Sequence, residues 1–160
     1  MPLRFQRPHP FPRLSLPDLD GTERPFVSAW AEGPALIVFG HRDCATTRLA
    51  LPFVDRIHRR RPPAATVLAV LQDDPTSARE LCRDLDVALP VLLEPYPYPV
   101  TAELGLRTVP TLLLVSTKGL VARAAEGFRR DDMEALAHQL GMSGSLFSEA
   151  DVGVPARRPG

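Results

Sequence analysis

Short apolar runs alternate with stretches of helical hydrophobic spacing along the middle of this chain. The runs at residues 35–39 and 65–71 each follow a break that contains proline, and they predict central strands. A helical pattern begins at Cys44, with apolar residues three or four positions apart, and a second one covers residues 74–86. Because helices that follow strands in this way cover a sheet, the sequence predicts a layered α/β domain.

The second half of the chain continues this alternation. A brief apolar run at 91–93 predicts a strand, and residues 100–106 predict a short helix. Apolar stretches at 111–115 and 120–125 surround a Thr-Lys-Gly turn and indicate an antiparallel hairpin. The stretch 131–140 starts with two acidic residues and is followed by glycine, which predicts a final helix.

Length and composition are those of a single core. The chain has 160 residues, of which 44% are hydrophobic, which suits one well-packed domain rather than two. Residues 1–12 are rich in proline and arginine, lack a hydrophobic period and predict an extended arm, and residues 142–160 predict a C-terminal tail. We therefore expect one domain over residues 13–141.

Charge and hydropathy argue against several function classes. The chain has 19 basic and 19 acidic residues and a formal net charge of zero, which argues against a nucleic-acid partner. No stretch has the apolar length of a membrane span or a secretory signal, so we expect a cytoplasmic protein without a membrane partner. Two cysteines do not form a disulfide framework and are expected to be thiols unless they perform redox chemistry.

Cys44 occupies the junction between the first predicted central strand and the helix that follows it. A helix N-terminus offers free backbone N–H groups and the positive end of the helix dipole, and both favour a thiolate over a thiol. The cations Arg42 and Arg48 and the donor His41 are expected to tune the thiol in the same direction, whereas Asp43 opposes them. The junction therefore predicts a nucleophilic or redox-active thiol.

Three short motifs lie at the junctions of the predicted elements. They are Leu-Pro-Asp-Leu-Asp-Gly at 16–21, the apolar strand 37–39 followed by Cys44, and Thr-Val-Pro-Thr at 108–111. With the order of the elements, they resemble the thioredoxin-like superfamily in its branch of TlpA-like and redoxin (peroxiredoxin-related) proteins, over about residues 13–140. The resemblance implies a thioredoxin-like α/β fold, with a central mixed sheet flanked by helices on both faces.

The same resemblance implies a thiol–disulfide oxidoreductase with Cys44 as the attacking thiolate. It further implies that the Val109–Pro110 peptide bond is cis and that this loop packs against the sulfur. Thr108 and Val109 would then present backbone groups to an extended substrate. The implied partners are protein or small-molecule thiols and disulfides, and no metal or organic cofactor is implied.

Thr47 departs from the dithiol pattern of TlpA-like enzymes, in which a second cysteine at this position releases the mixed disulfide. Release by a second thiol at this position is therefore impossible. The hydroxyl is expected to donate a hydrogen bond to the Cys44 thiolate, which resembles the Cys-x-x-Ser arrangement of monothiol glutaredoxins. Glutathione, another small thiol or a thioredoxin-type reductant would then resolve the adduct.

Two other functions stay open at this point. Cys82, on the second predicted helix, is expected to be a small buried hydrophobic residue. The alternative is a peroxiredoxin-like peroxidase in which Cys82 resolves Cys44, which requires their Cα atoms to come within about 7 Å. His41 and Ile37 replace the threonine and proline of the peroxidase loop, which weakens that interpretation. A decayed site would instead leave a non-catalytic binding module that presents the proline loop to a peptide.

Overall fold

Strands and helices alternate along residues 9–160, which are the residues that the computed structural model describes. The strands are β1 (His9–Pro10), β2 (Ser15–Pro17), β3 (Glu23–Pro25), β4 (Ala35–Gly40), β5 (Thr66–Leu71), β6 (Val91–Leu93), β7 (Thr111–Val115), β8 (Leu120–Glu126), β9 (Phe128–Arg129) and β10 (Arg157–Arg158). The α-helices are α1 (Ala45–Arg60), α2 (Pro75–Leu85), α3 (Pro99–Leu104) and α4 (Arg130–Leu140). Short 3-10 helices lie at Phe26–Trp30 and Glu149–Asp151.

A mixed sheet of six strands, in the order β1-β8-β7-β4-β5-β6, forms the centre of the structure. β4, β5 and β6 are parallel, whereas β7 is antiparallel to both β4 and β8. The predicted hairpin is therefore formed by β7 and β8. Every residue of the central strand β4 is buried. Because β4 and β5 are parallel neighbours, the loops that follow them leave the sheet at the same edge, where α1 begins.

Helices cover both faces of this sheet. α1, α2 and α4 pack on one face against Leu36 and Val38 of β4. α3 and the 3-10 helix at 26–30 pack on the other face, against Ile37 and Phe39. Burying each large apolar side chain stabilises the folded state by roughly 1.5–3 kcal/mol relative to leaving it exposed. The predicted central mixed sheet with helices on both faces is thus confirmed. None of the helices within residues 9–160 has the length and hydropathy needed to cross a bilayer.

The described part of the N-terminal arm belongs to the folded domain, whereas the sequence places the domain boundary at residue 13. β1 pairs antiparallel with β8 at the sheet edge. Phe11 is 2% exposed, and its ring centre lies 4.8 Å from that of Phe26 and 5.5 Å from that of Trp30. The sequence does not predict this burial, because a single aromatic residue between prolines shows no hydrophobic periodicity. Phe11 is buried by its contacts with the other two rings. Residues 1–8 of the predicted arm lie outside the described residues.

The C-terminal segment 142–160 packs onto the domain, whereas the sequence predicts a tail outside the core. Met142 and Leu146 are buried in the core that α1 and α4 share. Arg56 on α1 donates to the Leu146 carbonyl at 3.0 Å and to the Asp151 carboxylate at 2.8 Å. These polar contacts join residues about ninety positions apart, which hydrophobic spacing along the chain does not reveal.

Acid is expected to weaken the docking of this segment through Asp151. The Arg56 guanidinium and the Ser148 N–H lower the pKa of Asp151 from 3.8 to about 2. Since the pKa is lower in the folded state, the carboxylate stabilises the fold above about pH 4, and this contribution disappears as the pH falls towards about 2. Denaturant unfolding across this pH window should show a smaller acid-dependent loss of stability for Asp151→Asn than for the wild type. Parallel pH profiles would contradict this assignment.

Candidate active site

Cys44 immediately precedes α1 and caps its N-terminus. Its backbone is extended, with φ −90° and ψ 115°, and the Thr47 N–H donates to its sulfur at 3.4 Å. The side chain is partly exposed, so reagents can reach it. An amide donor and the positive end of α1 both face Sγ, and both stabilise negative charge there. The thiol therefore lies at the strand-to-helix junction that the sequence predicts.

The loop that contains Pro110 lies on the other side of the thiol. The Val109–Pro110 peptide bond is cis, and Cys44 Sγ donates to the Val109 carbonyl oxygen at 3.4 Å. The Thr111 hydroxyl donates to the Thr108 carbonyl at 2.7 Å, which connects the loop to the start of β7. The cis bond and the contact between this loop and the sulfur, both predicted by the resemblance, are confirmed.

Thr47 contacts the sulfur of Cys44 through its backbone N–H rather than through its hydroxyl. The hydroxyl oxygen accepts a hydrogen bond from the His41 N–H at 3.4 Å. The methyl group packs against Gly40, where an added Cβ would lie 2.6 Å from it. The prediction that the hydroxyl donates to the thiolate is corrected accordingly. The physical reason is that side chains in a first helical turn lean back towards the preceding strand, here the end of β4.

Arg42 and Arg48 anchor the loop between β4 and α1. The Arg42 guanidinium donates to Ser77 Oγ at 2.7 Å and lies 3.8 Å from Glu80 Oε2, so it faces α2. Arg48 Nε donates to the Arg42 carbonyl at 2.7 Å. Both cations therefore have contacts that hold the loop in place. Their influence on the Cys44 thiolate stays a prediction.

Asp73 is a buried carboxylate beneath the same loop, and the sequence did not reveal it as part of the site. Its side chain is 2% exposed and accepts the Arg42 N–H at 3.1 and 3.3 Å. Burial raises the pKa of Asp73, against the opposing effect of the Arg42 amide and the His41 ring. His41, predicted to tune the thiol, lies 3.5 Å from Asp73 and accepts the Asp43 N–H at Nδ1. The available signal was a carboxylate two residues after the end of β5, a strand parallel to β4.

Cys82 lies on α2, away from the candidate active site. It packs partly buried against the core below α1, and burial together with the Asp55 charge raises its pKa. Asp55 is eleven residues beyond Cys44 along α1, a separation of about 16 Å at the helical rise. Both cysteines are free thiols. The structure therefore does not bring the predicted resolving residue to Cys44.

The side chains that commonly bind metals are dispersed over the described part of the chain. Across residues 9–160, histidine, cysteine, aspartate and glutamate side chains do not form a group of three or more that could hold a metal ion. His138 Nε2 is instead 2.9 Å from the Gly144 carbonyl oxygen, at the end of α4.

Comparison with solved structures shows a thioredoxin-like fold. A putative thiol:disulfide interchange protein DsbE from Chlorobium tepidum matches with a TM-score of 0.74 and 22% identity, over 86% of this chain and 96% of that one. The exposed lipoprotein thioredoxin Etrx1 of Streptococcus pneumoniae matches with a TM-score of 0.67 and 21% identity, over 79% and 96%.

A third match extends the same fold to a secreted protein. The Mycobacterium tuberculosis disulfide oxidoreductase homologous to Escherichia coli DsbE has a TM-score of 0.66 and 14% identity, over 79% of this chain and 96% of that one. No family model matches this sequence, and no curated protein does. Since these identities are low, the likeness defines the architecture alone.

Proposed function

We propose that this protein is a thiol–disulfide oxidoreductase that acts through Cys44 as its single active-site thiol. One observation carries the proposal: the Cys44 sulfur lies between the Thr47 N–H of a helix N-terminus and the Val109 carbonyl of a cis-proline loop. The first group favours the thiolate, and the second belongs to backbone that can pair with a substrate. Two of the structural neighbours, a putative thiol:disulfide interchange protein and a disulfide oxidoreductase, support the same chemistry here.

The reaction is a series of three thiol–disulfide exchanges. The Cys44 thiolate attacks one sulfur of a substrate disulfide, so a bond forms between the two sulfurs and the substrate disulfide breaks. The second substrate sulfur leaves with the electron pair and takes up a proton. A partner thiolate then attacks the substrate sulfur of the mixed disulfide, so a partner–substrate disulfide forms and Cys44 leaves as a thiolate. A second partner thiolate attacks the partner sulfur of that disulfide, which releases the substrate as a dithiol and leaves the two partner thiols joined in a disulfide. The two partner thiols thus supply the two electrons that reduce the substrate.

An external thiol has to complete the cycle. Position 47 carries a threonine that is fully buried, and Cys82 lies close to Asp55, which is about 16 Å along α1 from the active thiol. Glutathione or a thioredoxin-type protein would supply the resolving thiol, and protein or small-molecule disulfides would be the substrates. The cytoplasmic location expected from the sequence suits this scheme, because partner thiols are abundant in a reducing compartment. That location stays a prediction.

Exchange with a model disulfide tests this function. After incubation with oxidised glutathione, intact-mass analysis should detect one glutathione adduct, and digestion should locate it at Cys44. Reduced glutathione should remove the adduct. The Cys44→Ser variant is expected to lose this exchange entirely, since a hydroxyl does not form a mixed disulfide.

Cys82→Ser is the matched control for this experiment. Because burial raises the pKa of the Cys82 thiol, its thiolate fraction at neutral pH is small and its loss should leave the exchange rate unchanged. A Cys44 that forms no adduct would contradict the proposal and favour a non-catalytic binding module. A peroxide-dependent bond between Cys44 and Cys82 would favour the peroxidase instead.

A further inference from the structure

The end of the described chain returns to the active-site edge of the domain. β10 pairs antiparallel with β9, and the Arg130 N–H at the start of α4 donates to the Ala156 carbonyl at 2.9 Å. Residues 156–160 form a strap, which continues from this pairing across the edge where α1 begins. Hydrophobic spacing alone predicts a tail outside the core for these residues.

The strap reaches the cis-proline loop at its last two residues. The Thr46 hydroxyl, in the first turn of α1, donates to the Pro159 carbonyl at 2.6 Å. Gly160 lies directly against the loop, where an added Cβ would be 2.2 Å from the Val109 carbonyl oxygen and 2.6 Å from Thr108 Oγ1. Only a residue without a side chain fits this position in the observed geometry.

The Val109 carbonyl is also the acceptor of the Cys44 thiol hydrogen bond. Gly160 thus covers the backbone on which an extended substrate segment would pair under the proposed function. We propose that the strap closes the cis-proline loop and has to lift before a polypeptide disulfide reaches Cys44. This inference rests on the proposed function and adds a regulation of access to it.

The strap has the properties of a segment that can separate while the domain stays folded. Every residue from 156 to 160 is exposed, and the contacts that hold the strap include backbone hydrogen bonds and the Thr46 hydroxyl. A cavity of about 220 Å³ lies beside it, lined by Thr108, residues 126–129 and the strap itself. Few buried apolar contacts and exposed backbone hydrogen bonds characterise segments that open locally. Asp151 and Leu146 anchor the preceding residues independently.

Two pairs of variants in the full chain test the strap, each in a Cys82→Ser background. Gly160→Val places a side chain against the Val109 carbonyl and should displace the end of the strap, whereas Gly153→Ala adds a methyl group in open space. Thr46→Val removes the hydroxyl that donates to Pro159, whereas Thr46→Ser keeps it. Comparison within each pair separates strap release from general damage to the fold.

The readout is the rate of Cys44 alkylation by a small and by a large reagent. Iodoacetamide measures the thiol itself, and a maleimide on a polyethylene glycol chain measures access for a polymer. Gly160→Val and Thr46→Val should raise the ratio of large-reagent to small-reagent rates by about two- to tenfold, the range given by losing one net hydrogen bond. Both control variants should keep the wild-type ratio.

Unchanged ratios in both Gly160→Val and Thr46→Val would overturn the strap proposal, as would an equal rise in the two controls. This test stays separate from the test of the proposed function, because alkylation needs only an accessible thiol. A protein that exchanges no disulfide but shows the expected ratios would retain the strap and lose the oxidoreductase activity. A protein that exchanges disulfides with unchanged ratios would give the opposite conclusion.

Discussion

Replacing Asp55 with alanine is expected to lower the free energy of unfolding by about 2–4 kcal/mol. Asp55 lies in the middle of α1 and is 4% exposed. One carboxylate oxygen accepts the N–H groups of Ala88 and Leu89, each at 2.9 Å, and the other accepts Arg59 Nε at 2.7 Å. Alanine leaves the two amides before β6 without this acceptor. Linear extrapolation from urea unfolding would measure the loss.

Asp84→Ala provides the control for this substitution. Asp84 also lies on a helix, α2, but its side chain is exposed, so its replacement should change stability by less than about 0.5 kcal/mol. Asp55→Asn should fall between the two variants, because the amide oxygen still accepts from Leu89 while the charge opposite Arg59 is lost. An Asp55→Ala protein as stable as the Asp84→Ala protein would show that these hydrogen bonds do not stabilise the fold.

Periodicity was sufficient to predict most of the sheet and helices. β4 and β5 are continuous apolar runs, as strands buried on both faces require, and α1 carries its apolar residues at helical spacing. Periodicity does not predict that Asp55 is buried, because a carboxylate in an amphipathic helix is expected to lie on the polar, exposed face. Asp55 accepts hydrogen bonds from amides in a loop more than thirty residues away in sequence. These hydrogen bonds form only when α1 packs against that loop.

The candidate site was predictable to a similar extent. A cysteine between an apolar strand and a helix predicts a thiol at a helix N-terminus, and the resemblance predicts the loop that contains Pro110 beside it. The directions of the side chains were not predictable. Arg42 extends towards α2 because Ser77 and Glu80 offer acceptors there, and Asp73 approaches the loop only through the parallel pairing of β4 with β5.

The sequence did not predict that the strap contacts the cis-proline loop beside Cys44, for a different reason. Arginine, proline and glycine at residues 157–160 are typical of a terminal tail, and nothing in their spacing indicates a partner. Their placement depends on backbone pairing with β9 and on the hydroxyl of Thr46, a residue that is buried in the first turn of α1. Contacts made by backbone atoms seldom require a particular residue type, so the sequence does not indicate them. Gly160 is the exception, because a side chain at this position would collide with the cis-proline loop.

Replacing Thr47 with cysteine is expected to convert the single-thiol site into a dithiol site. Side chains three residues apart at the start of a helix have Cβ atoms about 5–6 Å apart, within relaxation distance of disulfide geometry. The Thr47 N–H already lies 3.4 Å from the Cys44 sulfur. A thiol held at this position should release a Cys44 mixed disulfide at least about a hundredfold faster than dilute external thiol does, because the attack becomes intramolecular.

The lifetime of the Cys44 glutathione adduct measures this effect. In Thr47→Cys the adduct should decay without added thiol, and the released protein should carry a disulfide between Cys44 and the introduced thiol, which by mass lacks two hydrogen atoms. Thr47→Ser keeps the hydroxyl that accepts the His41 N–H and adds no sulfur, so its adduct should persist as in the wild type. A long-lived adduct in Thr47→Cys would mean that the buried side chain at position 47 cannot turn towards the sulfur. The hydroxyl at this position would then have a structural function in the turn from β4 into α1, because the backbone amide supplies the hydrogen bond to sulfur in either case.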